Sequence, residues 1–199
     1  MRIGILGGSF DPPHVVHLII ALHAQRQLKL DRLYLIPAAI PPHRRLKTVS
    51  SPGHRLGMTR LLVRGIPGMN VLDLEIRRGG RSYTVDTLRA MRRRHPRASM
   101  FFLVGSDNYR LLNTWKDPDI IRQLAVITVY PRGGIRPVTR KLDKRDRILR
   151  GGPHVMSSTE IRRLAAASKS IEGLVTRGVE RYIHRNCVYA AQRPRGTAR

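Results

Sequence analysis

Two histidines, His14 and His17, stand three residues apart directly after Gly7-Gly8-Ser9-Phe10-Asp11-Pro12-Pro13. Positions three apart on a helix share a face, so both imidazoles can reach one ligand. The glycines permit a tight turn and close ligand approach, and a helix amino terminus offers unpaired N–H groups and a partial positive charge. The combination suits a phosphate. It is not the Gly-x-Gly-x-x-Gly dinucleotide fingerprint, because Gly4, Gly7 and Gly8 are wrongly spaced, and no Gly-Lys-Ser/Thr follows to make a Walker loop. His23, outside this run, reads as an ordinary helix residue. Far along the chain, Ser157-Ser158-Thr159-Glu160 has the Ser-x-x-Glu spacing of a capping box, which marks another helix start.

Elements that position these residues can be read from periodicity and punctuation. A short apolar run predicts a strand over 2–6, ended by the glycine turn, and helical spacing predicts a helix from about 13 to 28. A second strand over 33–37 leads into a Pro-rich loop over 38–51. Ser51-Pro52 is a cap followed by Pro at the first helical position, with Leu56, Leu61 and Leu62 as the apolar face. Residues 69–74 read as a strand, and Ser82 or Thr84 can cap a helix running to Arg94, stopped by His95-Pro96. A strand over 99–104 ends at Gly105, Asp107 follows, Asp117-Pro118 opens a helix to 124, and 125–130 is β-branched and apolar. Residues 131–152 are basic and weakly periodic, expected as loop and short helix. Helices are expected from Ser157 to about 167 and over 174–184, then a disordered basic tail over 190–199. Strands alternating with helices predict an α/β, Rossmann-like doubly wound fold: a mostly parallel sheet, helices on both faces, and a small helical C-terminal part. Ligands in such sheets bind beyond the carboxyl ends of the strands, which puts 7–17, 37–45 and 105–107 on one rim.

Composition narrows the class further. At 199 residues and 41 % hydrophobic, the chain suits one globular domain. No apolar stretch approaches the roughly 20 residues of a membrane span. Residues 3–6 are too short for a secretory signal, so a cytoplasmic protein with no membrane partner is expected. The single cysteine, Cys187, excludes an internal disulfide and a multi-thiolate metal site, and its place is expected to be packed. Net charge is +25, spread along the whole chain. Such a field attracts polyanions without choosing among them. Arg77-Arg78 and Arg92 to Arg94 read as solvated faces.

Gly7-Gly8-Ser9-Phe10-Asp11-Pro12-x-His14-x-x-His17 resembles the opening motif of the nucleotidyltransferases, most closely the bacterial nicotinate-nucleotide adenylyltransferases. Pro41-Pro42-His43-Arg44 is similar to that family's Pro-Pro-His loop, Arg81 to Leu88 to its Ser-Tyr-Thr-x-Asp-Thr segment, and Gly105-Ser106-Asp107 to its Gly-x-Asp turn. Trp115-Lys116, the Ser157 to Arg162 phosphate element, and the closing segment from Val179 to Tyr189 follow in order. The resemblance implies a single domain over 1–189 that joins nicotinate mononucleotide to the AMP part of ATP, giving deamido-NAD and pyrophosphate, with Mg²⁺ on the triphosphate.

By resemblance, His14, His17 and Arg162 are catalytic. Gly7, Gly8, Ser9, Phe10, Gly105, Asp107, Ser157 and Thr159 bind ATP, and His43, Arg44, Tyr83, Thr84, Trp115 and Lys116 bind the mononucleotide. The family's usual Gly between the histidines is Val16 here, a side chain expected to crowd the nucleotide, so that Val16→Gly would tighten ATP binding. Neighbouring readings are an adenylyltransferase for nicotinamide mononucleotide or pantetheine phosphate, or a catalytically weak nucleic-acid-binding relative. A homo-oligomer and non-specific polyanion binding through surface Arg stay open.

Overall fold

The structure, a computed structural model, describes residues 1–41, 50–131, 142–151 and 156–190. The apolar runs become strands β1 (Arg2–Gly8), β2 (Arg32–Pro37), β3 (Met69–Val71), β4 (Ser99–Gly105), β5 (Val126–Tyr130) and β6 (Arg147–Ile148). They form one sheet in the order β3-β2-β1-β4-β5-β6, and every pairing is parallel. The helices between them are α1 (Val15–Gln27), α2 (Pro52–Leu62), α3 (Leu74–Arg78), α4 (Thr84–Arg94), α5 (Ser106–Arg110), α6 (Pro118–Leu124), α7 (Ser158–Ala166) and α8 (Arg177–Arg185). A 3₁₀ turn covers Leu112–Thr114. This is the expected doubly wound architecture.

Period-two alternation explains the two layers. From β1, Leu6 joins Leu33, Leu35, Met58, Leu62, Val179 and Ile183 on one face. Ile3 and Ile5 join Tyr34, Ile36, Val85, Leu88 and Phe102 on the other. Gly4 leaves room for its packed neighbours: a Cβ there would come within 2.5 Å of Leu30 Cδ1 and force that side chain to shift. Among the described residues no helix is long and apolar enough to cross a membrane.

Several local expectations change for identifiable reasons. β1 runs on through Gly7 and Gly8, and the left-handed residue of the following turn is Phe10, φ 50°. Helix α1 starts at Val15, so His14 is its N-cap and not a helical residue. Ser51 does cap α2, accepting from His54 N–H at 3.2 Å. The buried face of that helix is Arg55, Met58, Thr59 and Leu62, with Leu56 and Leu61 only half-buried, because carbonyl oxygens satisfy the Arg55 guanidinium. β3 stops after three residues and the chain turns into α3, which buries Glu75. Neither Ser82 nor Thr84 caps α4; Tyr83 is the N-cap and gives no side-chain bond. The Ser82 hydroxyl is engaged instead by Ala39 N–H at 2.8 Å.

The basic stretch holds a strand as well as loop. β6 adds to the sheet edge beside β5, with Leu149 N–H donating to Val129 O at 2.9 Å, while 132–141 and 152–155 lie outside the described residues. Arg92 is not simply solvated, since its guanidinium donates to the carbonyls of Pro96, Ala98 and Leu124. Arg78, though exposed, reaches Thr87 Oγ1 at 3.4 Å. α8 begins at Arg177, three residues later than the 174 start, and Cys187 is exposed, at φ 46°, in the turn that ends it. Of the expected tail over 190–199, residues 191–199 lie outside the described residues.

His95 ends α4, donating its N–H to Met91 O, and its ring stacks on Tyr34 at 5.6 Å. Its Nε2 is buried with no hydrogen-bond partner among the described residues. Burial first, then the charges of Arg94 and Arg32, hold its pKa below the ordinary histidine value. The folded state therefore prefers the neutral ring, and below about pH 6.5 the unfolded chain binds the extra proton. Stability from this site is complete above that pH and is lost as pH falls. The melting temperature is expected to drop between pH 7 and 5, and less steeply in His95→Phe. Parallel profiles for the two proteins would refute the assignment.

Candidate active site

A cleft of about 450 Å³ opens above the carboxyl ends of the strands. It brings together Gly7, Gly8, Ser9, Phe10, His14, His17, Tyr83, Thr84, Asp107, Trp115, Lys116, Ser157, Thr159 and Arg162. Of the remaining sequence-predicted residues, Gly105 does not line it but ends β4 and serves as N-cap of α5. His43 and Arg44 lie outside the described residues.

The histidine pair is built by the turn after β1. Phe10 is buried and sets its ring edge against His17, centroids 5.0 Å apart. A Cβ on Gly8 would come 3.3 Å from Phe10 Cζ, so the second glycine serves close packing and not an unusual φ. The His14 and His17 rings lie 3.8 Å apart at 36°. His17 Nδ1 accepts the His14 backbone N–H at 3.2 Å. That bond fixes the tautomer: a neutral ring whose Nδ1 accepts carries its proton on Nε2, and can donate it.

The second helix start faces the same space. Ser157 caps α7, its hydroxyl accepting from Thr159 N–H at 3.2 Å. The reciprocal half of a capping box is not made, because both Glu160 oxygens are taken by Arg163 at 2.6 and 2.9 Å. Arg162 donates to Asp11 O at 2.7 Å and to Thr159 Oγ1 at 3.0 Å, using two of its five donors. Ser158 Oγ donates to Pro12 O at 3.0 Å. The two helix amino termini are thus tied together through the 9–13 turn.

Three anchoring residues went unread in the sequence. Asp11 is buried and accepts from Ser50 N–H, Ser50 Oγ and Tyr189 OH. Arg55, 3 % exposed, donates to the carbonyls of Ser9, Ala38 and Ala39. Burial lowers the Arg55 pKa and the Asp11 charge opposes that shift. Burial, then the Asp11 charge, push the Tyr189 phenol well above its ordinary value, so it stays a donor. Asp11 stands inside the glycine-histidine run, so its partnership could have been sought there. Nothing local marks Arg55.

At the other end of the cleft, Trp115 is half-buried and sits edge-on to Phe102, centroids 6.2 Å apart. Lys116 Nζ lies 4.9 Å from the Tyr83 ring centre and 3.5 Å from Asp86 Oδ2. A flat aromatic surface, a cation and the first turn of α4 converge here. One end of the cleft can hold phosphates and the other a planar, charged ring.

Residues 5–164 match the model of the cytidylyltransferase-like family. Proteins named "Probable nicotinate-nucleotide adenylyltransferase" resemble this chain along its length. The one from Syntrophotalea carbinolica is 38 % identical, covering 96 % of this chain and 99 % of its own. That from Thermus thermophilus is 41 % identical, covering 95 % and 100 %. The chain belongs to the cytidylyltransferase-like family, among the nicotinate-nucleotide adenylyltransferases. The fold agrees: Plasmodium falciparum nicotinic acid mononucleotide adenylyltransferase, solved in complex with NaAD, superposes with a TM-score of 0.75 at 20 % identity, covering 94 % of this chain and 97 % of that one.

Within the family's histidine motif, Val16 is 8 % exposed, lies on the buried face of α1 with Ile20, Ala21 and Ala24, and is not among the residues lining the cleft. Val16→Gly should therefore destabilise the fold, by about 2–4 kcal/mol for a lost buried side chain plus helix glycine, without tightening nucleotide binding. Denaturant unfolding and a nucleotide titration check both halves; tighter binding at unchanged stability would restore the crowding view.

Proposed function

We propose that this protein transfers the adenylyl group of ATP to nicotinate mononucleotide, forming deamido-NAD and releasing pyrophosphate. The observation that carries this reading is the pair of phosphate-suited helix starts, α1 and α7, bound to each other through Arg162 and Asp11 and opening on one cleft with Trp115. The names of the full-length relatives supply the chemistry that such a cleft would perform.

In this reaction a 5′-phosphate oxygen of the mononucleotide attacks the α-phosphorus of ATP. The new P–O bond replaces the bond to pyrophosphate, which leaves with its electron pair. No protein nucleophile is needed; the protein positions the reactants and stabilises charge on phosphate oxygens. His17 donates from Nε2, the nitrogen left protonated by its bond to His14 N–H. His14 holds the same phosphates from the N-cap. Ser157, Thr159 and Arg162 take the β- and γ-phosphates at the start of α7, the guanidinium acting as a planar fork. Gly7 to Phe10 and Asp107 face the adenosine, with Gly105 setting the strand end that carries Asp107. Trp115 stacks on the pyridine ring, Tyr83 and Thr84 surround its carboxylate, and Lys116, with His43 and Arg44, holds its phosphate.

Among the described residues no group of three or more His, Cys, Asp or Glu is gathered to hold a metal. Mg²⁺ fits a site of this kind when carried on the triphosphate, with few or no protein ligands, where it neutralises phosphate charge. The single Cys187 suits a reducing compartment, the cytoplasm.

Pyrophosphate release with ATP and Mg²⁺, compared across nicotinate mononucleotide, nicotinamide mononucleotide and pantetheine phosphate, is expected to favour the first strongly. Preference for either of the others would replace the acceptor, and no turnover would overturn the reading. His14→Ala should fold and lose about 10²–10³ in turnover, the scale of one preorganised donor to the transition state. Activity within threefold of wild type would remove His14 from the chemistry.

A further inference from the structure

Glu75 is a buried carboxylate for which the proposed reaction has no use. It is 6 % exposed, sits on the short helix α3, and reaches the cleft wall beside Tyr83, Thr84 and Trp115. A buried charge is costly unless it is paired and hydrogen-bonded. Here Thr87 Oγ1 donates to Glu75 Oε1 at 2.6 Å, and the Ser82 hydroxyl lies close enough to favour the ionised carboxylate. Arg78 and Arg55 are the cations within electrostatic reach. Burial still raises the Glu75 pKa above the ordinary value, the hydroxyls and cations pulling the other way.

The two hydroxyls define what the carboxylate holds. Ser82 Oγ accepts Ala39 N–H at 2.8 Å, which leaves its own proton available to the nearby Glu75. Ser82 N–H donates to Ile40 O at 2.9 Å, and Ile40 bridges Arg81, which stitches this turn to the exit of β2. Thr87 lies one turn into α4, on the far side of Tyr83 and Thr84. Glu75 thus grips the Ser82–Thr87 turn at both ends. Between those grips stand the first-turn amides of α4, which the N-cap Tyr83 side chain does not cap.

We propose that Glu75 is a positioning residue for the pyridine half-site: by accepting the Ser82 and Thr87 hydroxyls it fixes the turn that presents Tyr83 and Thr84 to the carboxylate of the mononucleotide. The inference rests on the proposed reaction. It assigns Glu75 no contact with the reacting atoms. Its effect falls on the affinity and selectivity for the pyridine partner, and not on ATP or on the chemical step. Replacement by the isosteric amide removes one acceptor and turns an N–H₂ group toward hydroxyls already aimed at it, so at least one grip is lost.

The chain's single tryptophan, Trp115, lies in the cleft, so quenching of its fluorescence reads binding without turnover. Glu75→Gln is expected to weaken nicotinate mononucleotide binding about tenfold, the scale of one hydrogen bond. Its KM for that substrate should rise in parallel, while kcat, the KM for ATP and the affinity for a non-hydrolysable ATP analogue stay within twofold. Preference for nicotinate over nicotinamide mononucleotide should fall as well. Unchanged mononucleotide affinity, or equal losses for both substrates, would overturn the proposal. Should Glu75→Gln not fold, Thr87→Val and Ser82→Ala remove the grips singly and are judged by the same split. A wild type that binds nicotinate mononucleotide but releases no pyrophosphate contradicts the reaction, and the binding ratios still decide the role of Glu75. A wild type that binds no pyridine mononucleotide overturns both.

Discussion

The buried carboxylate of Asp11 is the constraint on which the site depends. Its oxygens accept from Ser50, at the start of α2, and from Tyr189, 178 residues away beyond α8; its backbone carbonyl accepts from Arg162 on α7. Three distant stretches of chain therefore meet at one residue of the turn that carries His14 and His17. A carboxylate can remain in such a place because three donors meet its two oxygens, and losing one partner leaves charge buried with less compensation. The turn that carries the histidines is consequently tied by hydrogen bonds to the start of α2, to α7 and to the segment beyond α8, which restrains it. That restraint is what a reaction without a protein nucleophile requires, since its rate comes from placing two phosphates in line.

Arg55 does the complementary work with the opposite charge. Its guanidinium collects carbonyl oxygens from Ser9 and from the exit of β2, holding the first and second strand ends side by side. The protein carries a net charge of +25, yet this cation is buried and silent towards solvent. The cleft floor is a lattice of carbonyl acceptors and guanidinium donors, and the surface charge is a separate property that draws anions towards it.

Much of this was legible in the sequence because it is local. The Gly-Gly strand end, the spaced histidines, the Ser51-Pro52 start and the Gly105 stop each state a short-range requirement of a strand or helix terminus, and the alternation of strands with helices implies a parallel sheet with right-handed crossovers. What was illegible is tertiary. The brevity of β3 and the appearance of α3 reflect the burial of Glu75 beneath the 82–87 turn, which no periodicity in 69–78 announces. β6 pairs with β5 through backbone alone, with exposed side chains, so it leaves no apolar signature. Arg55 looks polar on a helix whose leucines suggest a different face, and only the carbonyls waiting at Ser9, Ala38 and Ala39 reverse that pattern. Val16 shows the same limit in the motif itself: its neighbours His14 and His17 line the cleft, while the helix buries Val16.

In the proposed reaction one cleft brings two phosphates together for a single in-line displacement, with the protein contributing placement and hydrogen bonds and no covalent intermediate. The most direct test is the stereochemical course at the α-phosphorus, followed with one diastereomer of α-thio-ATP and nicotinate mononucleotide as acceptor. One displacement predicts inversion of configuration in the dinucleotide product. Retention would mean two displacements through an adenylylated residue, and would contradict the account.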